Sequence, residues 1–408
     1  MNLSLNRRTT AVFLLTFSSS LPLILVGSTL SAWYTVAGVS LLGIGALSMV
    51  QQPYIFKFLW APLMDRFSLF GWCRRRSWIL LTQVLLVIGL VLMAYTGPKQ
   101  YPFGLAMIAL IFSFFSASQD IAIDAYRIDV LHANELGVGA AITSLAGRIA
   151  MLFGGAVALV FAAEIGWQNT YLIMAAVMAL EILATFAAPA LRNEEATPRS
   201  LQESIVGPLK DFVRREHALS ILIFILTYKM CDALALALNT PFLIRGVGFS
   251  LLEMGTIYKT MSLVASLLGT VVGGIFYKRL GLYRTLMCYG ILQALSNLAY
   301  MGLALASKSY FLMATAVFVE YFCGALSTVA FVAYLMSLCK QRFSATQYAI
   351  LSAIIAIPRV YFGPLAAIMV DYFGWAQFYF ITCLIGFPPL ILLFRMKKHL
   401  LNYRLDTE

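Results

Sequence analysis

Ten charged side chains fall inside long apolar runs of this chain: Lys57, Asp120, Asp124, Arg148, Glu181, Lys229, Asp232, Lys259, Glu320 and Arg359. Five are acidic and five basic, so the set balances to zero. A charge near the centre of a bilayer costs about 2.5–3.5 kcal/mol on insertion scales, and ten unpaired charges would cost about 25–35 kcal/mol. That exceeds the net stability of about 5–15 kcal/mol typical of a folded protein. Most of these groups must therefore pair or line a hydrated cavity. Two chemistries follow. Cations at mid-depth make a receptor for an anionic solute. Carboxylates in the same setting carry protons, because burial favours the neutral form and a nearby cation the charged one, so an arriving solute shifts the balance. His132, His217 and His399 fall at loops or ends, so a proton relay has to use carboxylates.

The spacing adds geometry. Asp120, Asp124 and Arg127 lie on one helix face. Lys229 and Asp232 are three apart and can be neighbours. Arg148, Lys229 and Arg359 sit about 11–14 residues into their runs, near mid-depth at a rise of about 1.5 Å per residue. A structural ion pair is the competing reading for every one of these charges. For Glu181 and Lys57 it comes first, since Lys57 can snorkel to the membrane interface.

The elements that position these groups follow from composition. Of 408 residues, 61% are hydrophobic and 12% charged, against about a quarter charged in a soluble domain. Ordinary soluble folds and disorder are both excluded. Runs near 11–36, 40–60, 77–96, 103–129, 137–163, 168–190, 217–245, 252–276, 281–306, 309–337, 344–371 and 375–395 are each long enough for a membrane helix. The first is too long for a signal-peptide core and reads as a retained span. The polar segment 191–216 divides the chain into bundles 1–190 and 217–408. The expected fold is an all-α membrane protein of twelve helices in two pseudo-symmetric six-helix bundles. With both termini on one side, 21 of the 29 Lys and Arg fall on that side, three on the other and five within spans. Such asymmetry places both termini in the cytoplasm. The net charge of +11 is thus an orientation signal rather than a nucleic-acid footprint.

The two halves repeat. Gly38–Gly45 recurs as Gly248–Gly255, Ala125-Tyr126 as Ala333-Tyr334, Trp167 and Tyr171 as Trp375 and Tyr379, and Arg148 as Arg359, all at offsets of 208 to 211. Parallel six-helix repeats are a transporter architecture, with the substrate near the midplane. Gly269-xxx-Gly273 and Gly154-Gly155 suit close helix packing. Trp33, Trp60, Trp78, Trp167 and Trp375 read as interface anchors. Gln168, Asn169, Gln347 and Asn239 are individually uninformative. The six Cys form no CxxC pair and read as small buried hydrophobes, neither metal ligands nor disulfides. There is no GxxxxGK[ST], GxSxG or HExxH motif, so neither ATP-driven transport nor an enzyme is expected.

Pro62-Leu63-Met64-Asp65-Arg66-Phe67, followed by Gly71-Trp72-Cys73-Arg74-Arg75-Arg76, resembles the loop motif of the major facilitator superfamily. The resemblance implies a cytoplasmic latch built from Asp65, Arg66, Arg74 and Arg75. The second-half equivalent, Gly273–Gly281, lacks the Asp. More specific stretches are Phe56–Arg66, SASQDIAIDAYRIDVL from Ser116, YKMCDALALALNTPFLIRGVGFS from Tyr228, Ser344–Gln347 and Arg359–Pro364. These resemble the AmpG family of muropeptide permeases over essentially the whole chain. The resemblance implies proton-driven import of GlcNAc-anhydro-MurNAc and its peptides across the bacterial inner membrane, with no cofactor and a likeness to monomeric carriers. It places Gln119, Asp120, Asp124, Lys229, Asp232 and Glu320 on cavity-lining helices, Arg148 and Arg359 on helices 5 and 11, and Glu181 on a scaffold helix. The expected substrate-binding residues are Gln119, Arg148, Lys229, Lys259 and Arg359. The expected proton-coupling residues are Asp120, Asp124, Asp232 and Glu320. Some family members carry further C-terminal membrane segments, whereas this chain ends soon after its twelfth run. A same-fold carrier of another anion, such as a siderophore, a peptide or a coenzyme A ester, is the alternative cargo reading, and a membrane enzyme or receptor the alternative class.

Overall fold

The computed structural model describes residues 6–61, 64, 74–131, 136–189, 218–306, 308–338 and 344–397. The regular elements among them are helical. Ten stretches among the described residues are long and apolar enough to cross a membrane: Arg7–Val36, Arg74–Tyr95, Pro102–Arg127, Leu145–Ile165, Trp167–Ala187, Ala218–Val247, Leu251–Tyr277, Arg279–Leu305, Tyr310–Leu335 and Ala353–Arg395. The 40–60 run is a chain of short pieces instead of one helix: Leu41–Ala46, Leu47–Gln51, Gln52–Phe56 and Lys57–Leu59. Pro53 in the first turn of the third piece has no N–H to continue a helix from the preceding turn. The last two expected runs form one apolar stretch, within which Gly374 has φ +75° and breaks the helix.

The sequence repeat recurs in the backbone. Gly38 and Gly248 have φ of +85° and +90°, and Gly166 and Gly374 have +82° and +75°. Only glycine adopts this region at no steric cost, so each pair fixes a sharp turn at equivalent places in the two halves.

Helix ends and breaks have local causes. Asn6 caps Arg7–Ile24, its side chain accepting from the N–H of Arg8 and Thr9 at 3.0 and 2.9 Å while the Thr9 hydroxyl accepts from the Asn6 N–H. Pro22 precedes the π-helical turn Leu25–Thr29. Lys229 and Leu238, with ψ of 9° and 16°, interrupt the Ala218–Val247 span on either side of Met230–Ala237. Arg7 donates to the Ala187 carbonyl at 3.1 Å and Arg76 to that of Phe186 at 2.8 Å, so two guanidinium groups cap the negative end of Trp167–Ala187.

The described chain forms two compact units. The first comprises Met1–Ser40, Met49–Arg199 and Ser250–Thr256; the second comprises Leu41–Ser48, Ser200–Phe249 and Ile257–Glu408. The first has a core around Leu15, Ile79, Ile123 and Tyr126, and the second a core around Phe224, Tyr228, Phe331 and Leu393. Within the second unit Gly45 and Gly363 meet backbone to backbone, so that a methyl on either would collide with the other's carbonyl. Gly269 and Gly273 pack against the helix Tyr310–Ser337, as their spacing suggested. Trp33 differs from the anchor expected of it: it is buried and stacks on Trp167 with ring centroids 5.5 Å apart.

Candidate functional site

Each unit carries a polar cluster at the charges singled out above, partly exposed in the first unit and more deeply buried in the second. In the first unit the cluster is built on Pro102–Val130. Asp120 forms an ion pair with Lys57 and accepts from the Ser19 hydroxyl at 2.7 Å. Lys57 therefore pairs with a carboxylate, its side chain one-third exposed at 33%. One turn on, Asp124 pairs with Arg127 at 3.0 Å, and Arg127 also reaches the Thr143 hydroxyl at 3.5 Å. Each carboxylate in this unit's shared face thus has a cation of its own.

Beside the charges lies a neutral network. Gln119, fully buried, donates to the Ser18 hydroxyl at 2.9 Å. Gln83, also fully buried, donates to Ser18 at 3.1 Å and to the Glu181 carbonyl at 3.3 Å, while its own carbonyl accepts from the Thr185 hydroxyl at 2.8 Å. The Gln83 amide is satisfied at both ends. Glu181 lies on Trp167–Ala187 with its carboxyl oxygen Oε2 buried and unpartnered among the described residues. Arg148 is half-buried in the last turn of Leu136–Met151.

In the second unit Lys229, at the helix interruption, donates to Asp232 and to the Gly324 carbonyl, both at 3.3 Å. The neighbour relation read from the spacing of Lys229 and Asp232 holds. Gln293 carries the next link: its amide nitrogen donates to Glu320 at 2.8 Å and to Asp232 at 3.4 Å. Ser296 donates to the other Glu320 oxygen. The Gln293 amide nitrogen thus bridges the two carboxyl groups. Glu320 is 1% exposed and makes no ion pair among the described residues. The Gln293 carbonyl oxygen is buried and has no partner among the described residues. Gly324 makes room for it, since a Cβ there would stand 3.3 Å from that oxygen and 4.0 Å from Asp232 Oδ1. Further along, the Asn239 amide donates to the hydroxyls of Tyr300 at 2.8 Å and Tyr258 at 3.4 Å, and Tyr258 shares a 2.6 Å hydrogen bond with Tyr321. Lys259 is buried with its ammonium 5.3 Å from the Tyr258 ring centre. Arg359 lies in the last turn of Ser344–Tyr361, the position equivalent to Arg148, and is exposed.

The clusters explain which side chains sequence reasoning passed over. Gln83 and Gln293 were not singled out, yet they stand 210 residues apart, at the offset of the repeat, and each ties three helices together. A polar residue at the same position in both halves of an apolar repeat was the available signal. Asn239, uninformative alone, proves to join three spans. Of the expected latch, Asp65 and Arg66 lie outside the described residues, while Arg75 pairs with Asp129 at 3.2 Å.

Comparison with known proteins settles the class. The Major Facilitator Superfamily model matches residues 9–301. The anhydromuropeptide permease of Escherichia coli (strain K12) is 45% identical over 402 residues, covering 98% of this chain and 82% of its own length. This chain belongs to the AmpG family of the major facilitator superfamily. A Rickettsia felis relative of that family, the putative transporter AmpG 4, is 32% identical over 95% of this chain and 96% of its own. Among solved structures, a POT family transporter in complex with 5-aminolevulinic acid aligns at a TM-score of 0.75 with 11% identity, covering 96% of each chain, and so shares the fold. The AmpG chain is a multi-pass membrane transporter and not an enzyme, and the charges described above belong to a permease.

Proposed function

We propose that this AmpG-family chain imports anhydro-muropeptides, GlcNAc-anhydro-MurNAc and its peptides, from periplasm to cytoplasm in symport with protons. The observation that carries this reading is the 45% identity, along 98% of the chain, to a permease of that name. The charge inventory supports it. The cargo bears lactyl and peptide carboxylates, and Arg148, Lys229, Lys259 and Arg359 supply cations inside the spans, with Gln119 as an amide partner. An arginine fork holds a carboxylate with two parallel bonds, which lysine cannot do. Asp120, Asp124, Asp232 and Glu320 are the proton carriers available where no histidine is.

The same reading places the chain in the bacterial inner membrane as a monomer of twelve spans with both termini in the cytoplasm. Its bundles, 1–190 and 217–408, are joined by a cytoplasmic linker at 191–216, and Asp65, Arg66, Arg74 and Arg75 form the cytoplasmic latch. The strong Lys and Arg asymmetry supports that orientation.

Cargo identity is tested by ligand-induced stabilisation of the purified chain. At a hundredfold excess over its dissociation constant, a ligand of the folded state adds about 2.7 kcal/mol, a shift of several degrees in the melting temperature. Anhydro-muropeptide is expected to give that shift, and a coenzyme A ester or ferric siderophore none. Stabilisation by one of those anions without any by anhydro-muropeptide would overturn the cargo assignment.

A further inference from the structure

Gln293 and Gln83 occupy equivalent positions of the two halves, and the difference between their surroundings is informative. Gln83 is met by neutral groups, with hydroxyls at both ends of its amide. The fold therefore packs this position well without charge. Gln293 instead offers one nitrogen to two carboxylates and leaves its carbonyl oxygen without a donor among the described residues. The charges do not balance either. The titratable groups around the carboxylates are Lys229 and Cys231, Tyr258, Tyr300, Tyr321, Cys323 and Tyr379. Lys229 is the cation among them, and it faces Asp232. Among the described residues, the two carboxylates and the one ammonium bonded to them carry a charge of −1, whereas the first unit's Asp120 and Asp124 each have their own cation.

We propose that Asp232 and Glu320 hold one proton between them as a single unit, and that Gln293 is the positioning residue that makes them one. A proton on Asp232 neutralises the cluster, leaving Lys229 to balance Glu320. A proton on Glu320 neutralises the cluster equally, with the Gln293 amide then donating to the ionised Asp232. Resting on the import reading, a second proton leaves Lys229 as the remaining charge, free to receive a carboxylate of the cargo. Proton and anion then load together with no net change in charge.

The test needs no cargo, so its failure and a failure of the import reading are distinguishable. Infrared difference spectra of the purified full chain, taken across a pH titration, report protonated carboxyl groups. The expected result is a carboxylic-acid carbonyl band that disappears at high pH. It is absent from Glu320→Gln, changed in frequency in Asp232→Asn and unaltered in Asp120→Asn. Gln293→Leu is expected to move the titration midpoint by about one pH unit, an effect a merely structural residue would not have. Gln83→Leu, at the equivalent position, leaves the midpoint in place. The proposal is overturned if the wild-type chain shows no such band, if the band survives unchanged in both Glu320→Gln and Asp232→Asn, or if Asp120→Asn removes it. Should Glu320→Gln fail to fold, Asp232→Asn and Gln293→Leu decide the matter on their own.

Discussion

Asp232→Ala is expected to destabilise the protein by about 3–5 kcal/mol, because it leaves the Lys229 ammonium without its counter-ion in a low-dielectric interior. Among the described residues, Lys229 has the Asp232 carboxylate and the Gly324 carbonyl for partners. Its side chain is 12% exposed, so water does little to replace what is lost. The double variant Lys229→Met, Asp232→Leu is expected to recover most of the loss, since removing both charges also removes the desolvation cost of each. Thermal unfolding of the detergent-purified wild type and both variants measures this directly. Equal stability in the single and double variants would mean that water solvates the pair and that it is not an interior ion pair. The more peripheral Arg75–Asp129 pair, with the carboxylate 35% exposed, gives the contrast: breaking it is expected to cost no more than about 1 kcal/mol.

Arg148→Ala and Arg359→Ala are each expected to weaken anhydro-muropeptide binding about 10- to 100-fold. A charge-assisted hydrogen bond contributes about 1.5–3 kcal/mol, and about 1.4 kcal/mol is a factor of ten. The lysine variants are expected to recover part of the affinity, because they restore the charge but not the two-pronged geometry. Both arginines stand in the last turn of their helices at equivalent positions of the repeat. The two losses are therefore expected to be similar. Equilibrium binding of labelled cargo to purified variants checks this, and full affinity in both alanine variants would remove the arginines from the receptor.

Much of this was legible in the sequence, for reasons that are physical. Membrane helices announce themselves because every backbone polar group in lipid must be satisfied within the segment, which demands a long uninterrupted apolar run. The repeat showed because glycine is demanded wherever φ is positive, and Gly38, Gly166, Gly248 and Gly374 mark the same turns in each half. Lys229 and Asp232 could be paired from spacing alone, since residues three apart on a helix are neighbours.

The rest lay in long-range packing. Lys57 meets Asp120 across 63 residues of chain, and Gln293 meets Asp232 across 61. Local pattern says nothing about such partners, and it assigned Lys57 to the membrane surface because the side chain is long enough to reach it. The break at Lys229 was equally hidden: no proline or glycine adjoins it, and the interruption is visible only in the backbone angles. The 40–60 run was read as one helix from its apolar content, while Pro53 and the short pieces around it show that apolar composition and helical continuity are separate properties.

The central claim is that uphill import of anhydro-muropeptide is driven by protons. Its most direct test is the uptake of labelled anhydro-muropeptide into proteoliposomes holding the full chain, with the lumen one pH unit more alkaline than the bath. For one proton per neutral-loading event the expected accumulation is about tenfold, the factor that about 1.4 kcal/mol of proton gradient supplies. It is expected to collapse to equilibration when a protonophore is added. Accumulation that persists with the protonophore, or uptake indifferent to the imposed gradient, would contradict the account.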